Sequence, residues 1–233
     1  VVFWERVFTK ISSFLDAARA TDAPACAEGA RNEALFVRKA HSRLEDFIQQ
    51  TGFDADAELV LNGVHLPPLR QILAESSAHL MMLGDVPAFV HGDLCLSNIL
   101  YDSRMRAIKL IDPRGADEDG QRMLYGSQLY DVAKLAHSIL GLYDHIVAGQ
   151  YALSVDGQHF SFRIFGADDV EEIQGAFRRH RFLPGVSAGA IEKTLPLLFI
   201  AMLPLHADSD RRQTALLANA MRLYADTFED RLN

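Results

Sequence analysis

Apolar residues recur at every third or fourth position along most of the chain, the spacing that places them on one face of an amphipathic α-helix. Three patterns of this kind precede residue 88, and four follow residue 127. Thr51 and Gly52 end the second pattern, because glycine is favoured just after the last turn of a helix. The predicted helices span 3–18, 32–49, 69–83, 128–142, 168–180, 188–202 and 210–229.

The pattern changes between the third and fourth predicted helices. Residues 88–90 form a short apolar run typical of a strand, and the apolar runs 98–102 and 107–111 flank a polar turn at 103–106. Pro113 ends the second arm, because proline cannot donate a hydrogen bond to a neighbouring strand. The sequence therefore predicts an α+β fold that is mostly α-helical and carries a small β-hairpin.

Composition narrows the class of protein. Of the 233 residues, 49% are hydrophobic, and the formal net charge of -8 disfavours non-specific nucleic-acid binding. The longest apolar run, 195–205, contains Pro196 and Pro204 and is too short to span a bilayer, so we expect a buried helix and no membrane span. Cys26 and Cys95 are far apart, which favours free thiols in a reducing, cytoplasmic compartment.

The segment between the predicted strand and the hairpin carries the candidate chemistry. Residues 91–98 read HGDLCLSN, which fits the catalytic-loop pattern H-x-D-L-x-x-x-N, and Asp112 follows Asn98 by fourteen residues at the end of the hairpin. Phosphoryl transfer needs a carboxylate to orient the acceptor hydroxyl and oxygen ligands to hold magnesium against the nucleotide phosphates. Asp93 suits the first role, and Asn98 and Asp112 suit the second. A lone His-Gly-Asp at a turn is the simpler alternative, because Gly and Asp favour turns.

The runs 89–94, 98–100 and 110–112 resemble the aminoglycoside phosphotransferase and choline kinase group, which has the protein-kinase-like fold. The resemblance implies that Asp93 is the catalytic base, that Asn98 and Asp112 bind Mg²⁺, and that ATP or GTP is the co-substrate. It also implies that His91 organises the loop and that Asp131, within 129–135, braces it through backbone amides. An ordinary carboxylate at a helix start is the alternative for Asp131.

The resemblance covers residues 1–233 as a C-terminal lobe, with helices over 1–86, the catalytic loop and hairpin over 88–115, and helices over 128–233. No β-rich lobe with a phosphate-clamping lysine is recognisable ahead of His91, and Lys10 and Lys39 have the pattern of solvated helix faces. We therefore expect the chain to fold but to be a weak catalyst by itself. An exposed apolar patch around Val1, Phe3 and Trp4 could then support a homodimer.

Three basic residues are candidates for binding phosphate or substrate. Arg114, in the run IDPRG at 111–115, places a charged fork beside the expected metal site, with an ion pair to Asp117, Glu118 or Asp119 as the alternative. His206 and Arg211 lie in a polar break between two predicted helices. The alternative for this break is a capped turn with Asp210 as the N-cap.

Two sequence features bear on the substrate. The IDPRG run and residues 199–206 resemble a subset of the group associated with bacterial surface-polysaccharide synthesis, so a sugar or sugar derivative is the first expected acceptor. An amino alcohol such as choline is the next, although the aromatic cage it favours has little support, since the single Trp, Trp4, is far upstream. A non-catalytic pseudokinase or binding module and a metal-dependent hydrolase are the alternatives from other classes.

Overall fold

The computed structural model describes residues 2–20, 23–25, 28–116, 122–166 and 170–228. It confirms the predicted α+β class, with helices predominating over small mixed sheets. The expected ion-pair partners Asp117, Glu118 and Asp119, and also Val1 and Cys26, lie outside the described residues. Cys95 is a free, partly exposed thiol.

Ten α-helices occur in the described part of the chain, most of them within the segments predicted as helices, whereas Tyr143–Val147 lies outside those segments. The helix Ala30–Asn32 continues through a π-helical segment, Glu33–Val37, into the helix Arg38–Thr51. Gly52, in the left-handed conformation (φ 67°), ends that helix as the sequence predicts. The described helices are α1 Val2–Arg19, α2 Ala30–Asn32, α3 Arg38–Thr51, α4 Leu69–Met82, α5 Gln128–Ile139, α6 Tyr143–Val147, α7 Glu171–Arg179, α8 Ala188–Glu192, α9 Leu195–Met202 and α10 Asp210–Phe228.

Eight short strands form three sheets in the described part of the chain. A four-stranded sheet has the order β2-β1-β8-β7, β3 pairs with β6, and β4 pairs with β5 as the predicted hairpin. In this hairpin Ile99 lies opposite Leu110, and Asp102 lies opposite Ala107. The strands are β1 Leu59–Leu61, β2 Val64–Leu66, β3 Pro87–Phe89, β4 Ile99–Asp102, β5 Ala107–Leu110, β6 Tyr125–Ser127, β7 Tyr151–Asp156 and β8 His159–Ile164.

The core is built around α9, in which every residue from Leu195 to Ala201 is buried. The 188–206 segment is long and apolar enough to pass as a membrane-spanning helix by length and composition. In this fold the segment is broken: α8 ends at Glu192, α9 begins at Leu195, and Leu203–His206 form a 3-10 turn. Helices α3, α4, α5 and α10 pack around α9. The expectation of a buried apolar helix is confirmed.

Several predictions of secondary structure were wrong in detail. The single helix predicted over 188–202 is two helices, because the chain turns at Lys193 and Thr194. Residues 59–66, within the region 1–86 predicted as helical, form a hairpin around Asn62 and Gly63, both at positive φ. The hairpin of β7 and β8 was missed within a region predicted as helical, although apolar and polar residues alternate along β8.

The N-terminal helix leaves only part of its apolar surface open. Phe3 is 45% exposed and lies edge-on to Tyr101 of β4, with the ring centroids 5.0 Å apart. Trp4 is half-buried and packs against Phe8 of the core. The expected apolar patch is therefore narrower than the sequence indicates, and Val2 and Phe3 are its exposed members among the described residues.

Gly141, just after α5, lies close to Phe199 of α9. A Cβ atom built there would lie 2.6 Å from a ring carbon of Phe199 and 2.6 Å from the His137 carbonyl oxygen. We therefore expect Gly141→Ala to lower the free energy of unfolding by about 1–3 kcal/mol, the usual range for overpacking a core. Urea denaturation measures this change.

Gly189→Ala is the matched control, because Gly189 is helical, is exposed, and has no atom within 4 Å of the added Cβ. We expect this variant to be neutral or more stable by up to about 1 kcal/mol. Equal stability of the Gly141→Ala protein and the wild type would contradict the close packing of α5 against α9.

Candidate functional site

The catalytic-loop sequence lies between β3 and the β4–β5 hairpin, and Asp131 at the start of α5 holds it in place. The two oxygens of the buried Asp131 carboxylate accept one hydrogen bond each, from the backbone N–H groups of His91 and Gly92, both at 2.8 Å. Burial raises the pKa of Asp131 to about 6, although these two N–H donors oppose the rise; nearby Asp93 adds to it. Because a pKa of about 6 is below neutral pH, the ionised carboxylate still predominates over the protonated acid there. The ionised form is the one whose two oxygens can both accept these bonds.

His91 ties the loop to the end of the hairpin. Its Nδ1 accepts a hydrogen bond from the Asp93 N–H at 3.3 Å, so Nε2 carries the proton and donates to the Ile111 carbonyl at 3.0 Å. Burial lowers the pKa of His91, against the influence of the Ile111 carbonyl and of Asp93 and Asp112, which favours this neutral form. The ring thus connects Asp93 with the residue that precedes Asp112.

Gly92 lets the loop approach the segment after the hairpin. It has φ 77°, and a Cβ there would lie 2.9 Å from the Cβ of Arg114. The Arg114 N–H donates to the His91 carbonyl at 2.9 Å, which fixes this close approach. Both the positive φ and the contact require glycine at this position.

Asp93 is held by two partners and remains open to solvent, with 37% of its side chain exposed. Asn98 donates through Nδ2 to the Asp93 carbonyl at 2.9 Å and to Oδ2 at 3.2 Å. Lys134 of α5 lies 2.8 Å from Oδ1. Sequence reasoning missed Lys134, although its position three residues after Asp131 places both on the same face of a helix.

Asn98 and Asp112 are brought together at the base of the hairpin, where the Ile111 N–H donates to the Asn98 carbonyl at 3.0 Å. Asp112 adopts φ 57°, and its exposed carboxylate has no hydrogen bond or ion pair with the described residues. Because Asn98 uses its amide nitrogen toward Asp93, its amide oxygen is left to act as a ligand. This donor set of hard oxygens fits Mg²⁺. No cluster of three or more His, Cys, Asp or Glu side chains able to hold a metal occurs in the described ranges.

A cavity of about 370 Å³ opens beside Asp93 and Asp112, between α3, α5 and α9. Its lining includes Lys39, which is only 7% exposed. The prediction that Lys39 lies on a solvated helix face was therefore wrong, because α3 turns this residue inward toward α5. The lining residues are Lys39, Arg43, Asp93, Asp112, Pro113, Arg114, Tyr130, Lys134, His137, Leu198, Ala201, Met202 and Leu205.

The three basic candidates from the sequence lie in different places. Arg114 lines the cavity, and its Nε–H donates to the Ala116 carbonyl at 3.2 Å. His206 is outside the described cavity lining; its Nδ1 accepts from Arg212 at 2.9 Å, and its Nε2 donates to the Tyr143 hydroxyl at 3.0 Å. Arg211 packs over the ring of Tyr151, 5.7 Å from the centroid.

The turn that carries His206 is closed by a residue other than the expected one. The Arg212 N–H donates to the Ser209 hydroxyl at 3.3 Å, so Ser209 rather than Asp210 caps α10. Asp210 is the first residue of that helix. The prediction of a capped turn is right, but the N-cap is one residue earlier because serine accepts this bond equally well.

Asp131→Asn tests the brace on the loop. An amide has a single acceptor oxygen, so its NH₂ group would face one of the two N–H donors and leave that buried donor unsatisfied. We expect the free energy of unfolding at pH 7 to fall by about 1–3 kcal/mol. Urea denaturation measures this, and faster amide hydrogen exchange at His91 and Gly92 would locate the change.

Asp102→Asn is the matched control, because Asp102 also accepts two backbone N–H groups, from Arg104 and Met105, but with a single oxygen, Oδ1. Asparagine retains that oxygen, and we expect a change within about 0.5 kcal/mol. An equally small effect at Asp131 would show that the second oxygen does not brace the loop.

Comparison with known proteins adds no relative: no family model, curated protein or solved structure matches this chain.

Proposed function

We propose that this protein is a phosphotransferase that moves the γ-phosphoryl group of ATP or GTP to a hydroxyl of a small metabolite. The described helices and the β4–β5 hairpin would then form the C-terminal lobe of a protein-kinase-like fold. The sequence pattern at 91–98 motivates this proposal, and the contacts around that loop support it.

The observation that carries the proposal is the joining of three separate segments at one point. Asp131 holds the loop backbone at 2.8 Å, His91 links the loop to Ile111, and Asn98 contacts Asp93. The proposed base Asp93 and the proposed magnesium ligand Asp112 therefore line the same cavity, and Asn98, the second proposed ligand, contacts Asp93 directly. A turn that merely contained His-Gly-Asp would not need these long-range contacts.

In the proposed reaction the acceptor hydroxyl lies next to Asp93. Its oxygen forms a bond to the γ-phosphorus, the bond from that phosphorus to the β–γ bridging oxygen breaks, and the nucleoside diphosphate leaves. The hydroxyl proton passes to the Asp93 carboxylate. Asn98 and Lys134 orient that carboxylate through its two oxygens, so the base is held in position before the substrate binds.

Lys134 has a second use in this scheme. Burial alone would lower its pKa, but Tyr130 and Asp93 outweigh burial and raise it, so Lys134 is a cation at neutral pH. A cation beside the base also lies close to the oxygens of the transferring group, where negative charge is concentrated in phosphoryl transfer. Asn98 and Asp112 would hold Mg²⁺, which supplies charge neutralisation at the nucleotide phosphates when it is bound.

Asp93→Asn removes the proposed base and preserves the shape of the side chain. We expect turnover to fall by about a hundredfold or more, the usual range for the loss of a general base. The measurement is nucleotide consumption by the complete gene product in a screen of sugars and amino alcohols as acceptors. Asp102→Asn, on the exposed hairpin turn, should retain normal turnover, and near-normal turnover in Asp93→Asn would remove Asp93 from this role.

Magnesium should bind together with nucleotide and only weakly without it, because Mg²⁺ tends to share its coordination between a few protein oxygens and substrate phosphates. Titration calorimetry of the complete gene product with Mg²⁺, with and without nucleotide, measures this difference. Asp112→Asn should weaken the joint binding by about tenfold or more, since it removes one charged ligand. Tight zinc binding without nucleotide would favour a hydrolase instead.

A further inference from the structure

The cavity beside Asp93 has a charge that is opposite to that of the chain. Its lining carries the cations Lys39, Arg43, Arg114 and Lys134 against two carboxylates, although the whole protein has a formal net charge of -8. The cations come from α3, from the segment after the hairpin, and from α5. Side chains from three elements thus place positive charge around one half-open cavity.

The pKa of Tyr130, a residue of the cavity lining, reflects this positive charge. Tyr130 is buried, which would raise the pKa of its hydroxyl, yet Lys39, Lys134 and Arg114 together lower it. Lys39 donates to the same hydroxyl at 3.1 Å. Burial lowers the pKa of Lys39, Tyr130 opposes this, and the repulsion of Arg114 and Arg43 adds to it, so these cations are near one another.

His137 adds an unsatisfied polar group to the cavity wall. It lies in the cavity wall, is 1% exposed, and neither ring nitrogen has a hydrogen-bond partner among the described residues. Burial, with the charge of Lys134 and His206, lowers the pKa of His137 far enough to keep it neutral. Buried polar groups in proteins almost always have partners, so these two nitrogens leave hydrogen-bonding positions that a water or a polar ligand can fill.

The cavity gives an acceptor access to the proposed base. Asp93 and the proposed magnesium ligand Asp112 both line it, whereas Asn98 does not occur in the described lining. A hydroxyl bound in the cavity can therefore give its proton to Asp93. A volume of about 370 Å³, with an apolar wall of Leu198, Met202 and Leu205, suits one compact metabolite.

We propose that the acceptor is an anion: a small polyhydroxylated compound, such as a sugar, that carries a phosphate or carboxylate group held by Lys39, Arg43 and Arg114. This inference rests on the proposed phosphotransferase function and specifies its substrate class. The acceptor hydroxyl points to Asp93, and the anionic group lies toward α3. A cationic acceptor such as choline is disfavoured by the same four positive charges.

Binding of a matched series tests the charge preference. Titration calorimetry of the complete gene product, without nucleotide, should be run with glucose, glucosamine, glucose 6-phosphate, glucuronic acid and inorganic phosphate. We expect the anions to bind at least about tenfold more tightly than the neutral or cationic sugar, and this preference to decrease with salt. Equal binding of all the probes, their common failure to bind, or a preference for glucosamine would overturn the inference.

Lys39→Met tests the role of the buried cation at nearly constant volume. We expect it to weaken binding of the preferred anion by about tenfold or more and to leave glucose binding unchanged. Lys10→Met is the matched control, because Lys10 is exposed on α1, and it should change neither affinity. Unchanged anion affinity in a folded Lys39→Met protein would contradict the proposed contact.

A further titration, with nucleotide present, tests whether the cavity binds the anionic acceptor or the phosphates of the nucleotide. A non-hydrolysable ATP analogue with Mg²⁺ should bind together with the anion, without competition. Competition, with nucleotide affinity reduced in Lys39→Met, would show that the cavity holds the donor phosphates and would overturn the inference.

Measurement of phosphoryl transfer to the same compounds distinguishes failure of the anionic-acceptor inference from failure of the proposed phosphotransferase function. Phosphoryl transfer to neutral or cationic acceptors alone would leave the proposed function standing and refute the anionic acceptor. Anion binding without transfer to any acceptor would refute the proposed function and, with it, the acceptor role of the anion.

Discussion

The pair of hydrogen bonds from the His91 and Gly92 N–H groups to the Asp131 carboxylate is the constraint on which the rest of the site depends. A buried carboxylate that loses solvent needs donors, and the two consecutive amides supply one for each oxygen. Gly92 adopts positive φ between these amides, and its lack of a Cβ admits Arg114 at close range. The interaction therefore links the position of the loop to that of the segment after the hairpin, which places Arg114 in the cavity wall.

The loop contacts stabilise the fold, whereas the buried positive charges of the cavity destabilise it. Burial lowers the pKa of Lys39, and the nearby charges of Arg114 and Arg43 lower it further, so the charged form of this lysine is destabilised in the cavity. Packing alone would favour an apolar residue at that point of α3, since replacing a buried charge by an apolar group is often neutral or stabilising. A residue kept against this cost is better explained by binding than by folding, which is the general pattern at functional sites.

Sequence reasoning predicted the local parts of the site and missed the parts that depend on distant packing. The strand ending at Phe89 and the β4–β5 hairpin follow from short patterns within 88–111, and the brace at Asp131 follows from the resemblance carried by residues 129–135. Lys39 is 54 residues before Asp93, and its turn toward α5 depends on how α3 packs against α9, which helical periodicity alone does not determine. The β7–β8 hairpin was missed for a different reason: its alternation was present but was read within a helical region.

Helix α5 contributes residues both to the support of the 91–98 loop and to the wall of the cavity. Asp131, Lys134 and His137 follow one another at intervals of three residues, so they lie along one side of the helix, with the loop brace first, the partner of the proposed base next, and the cavity wall last. Gly141 and Phe199 fix the far end of this helix against α9. A shift of α5 along its axis would therefore displace the brace and the cavity wall together. The geometry of Asp93 and the shape of the cavity are consequently coupled through the packing of a single helix.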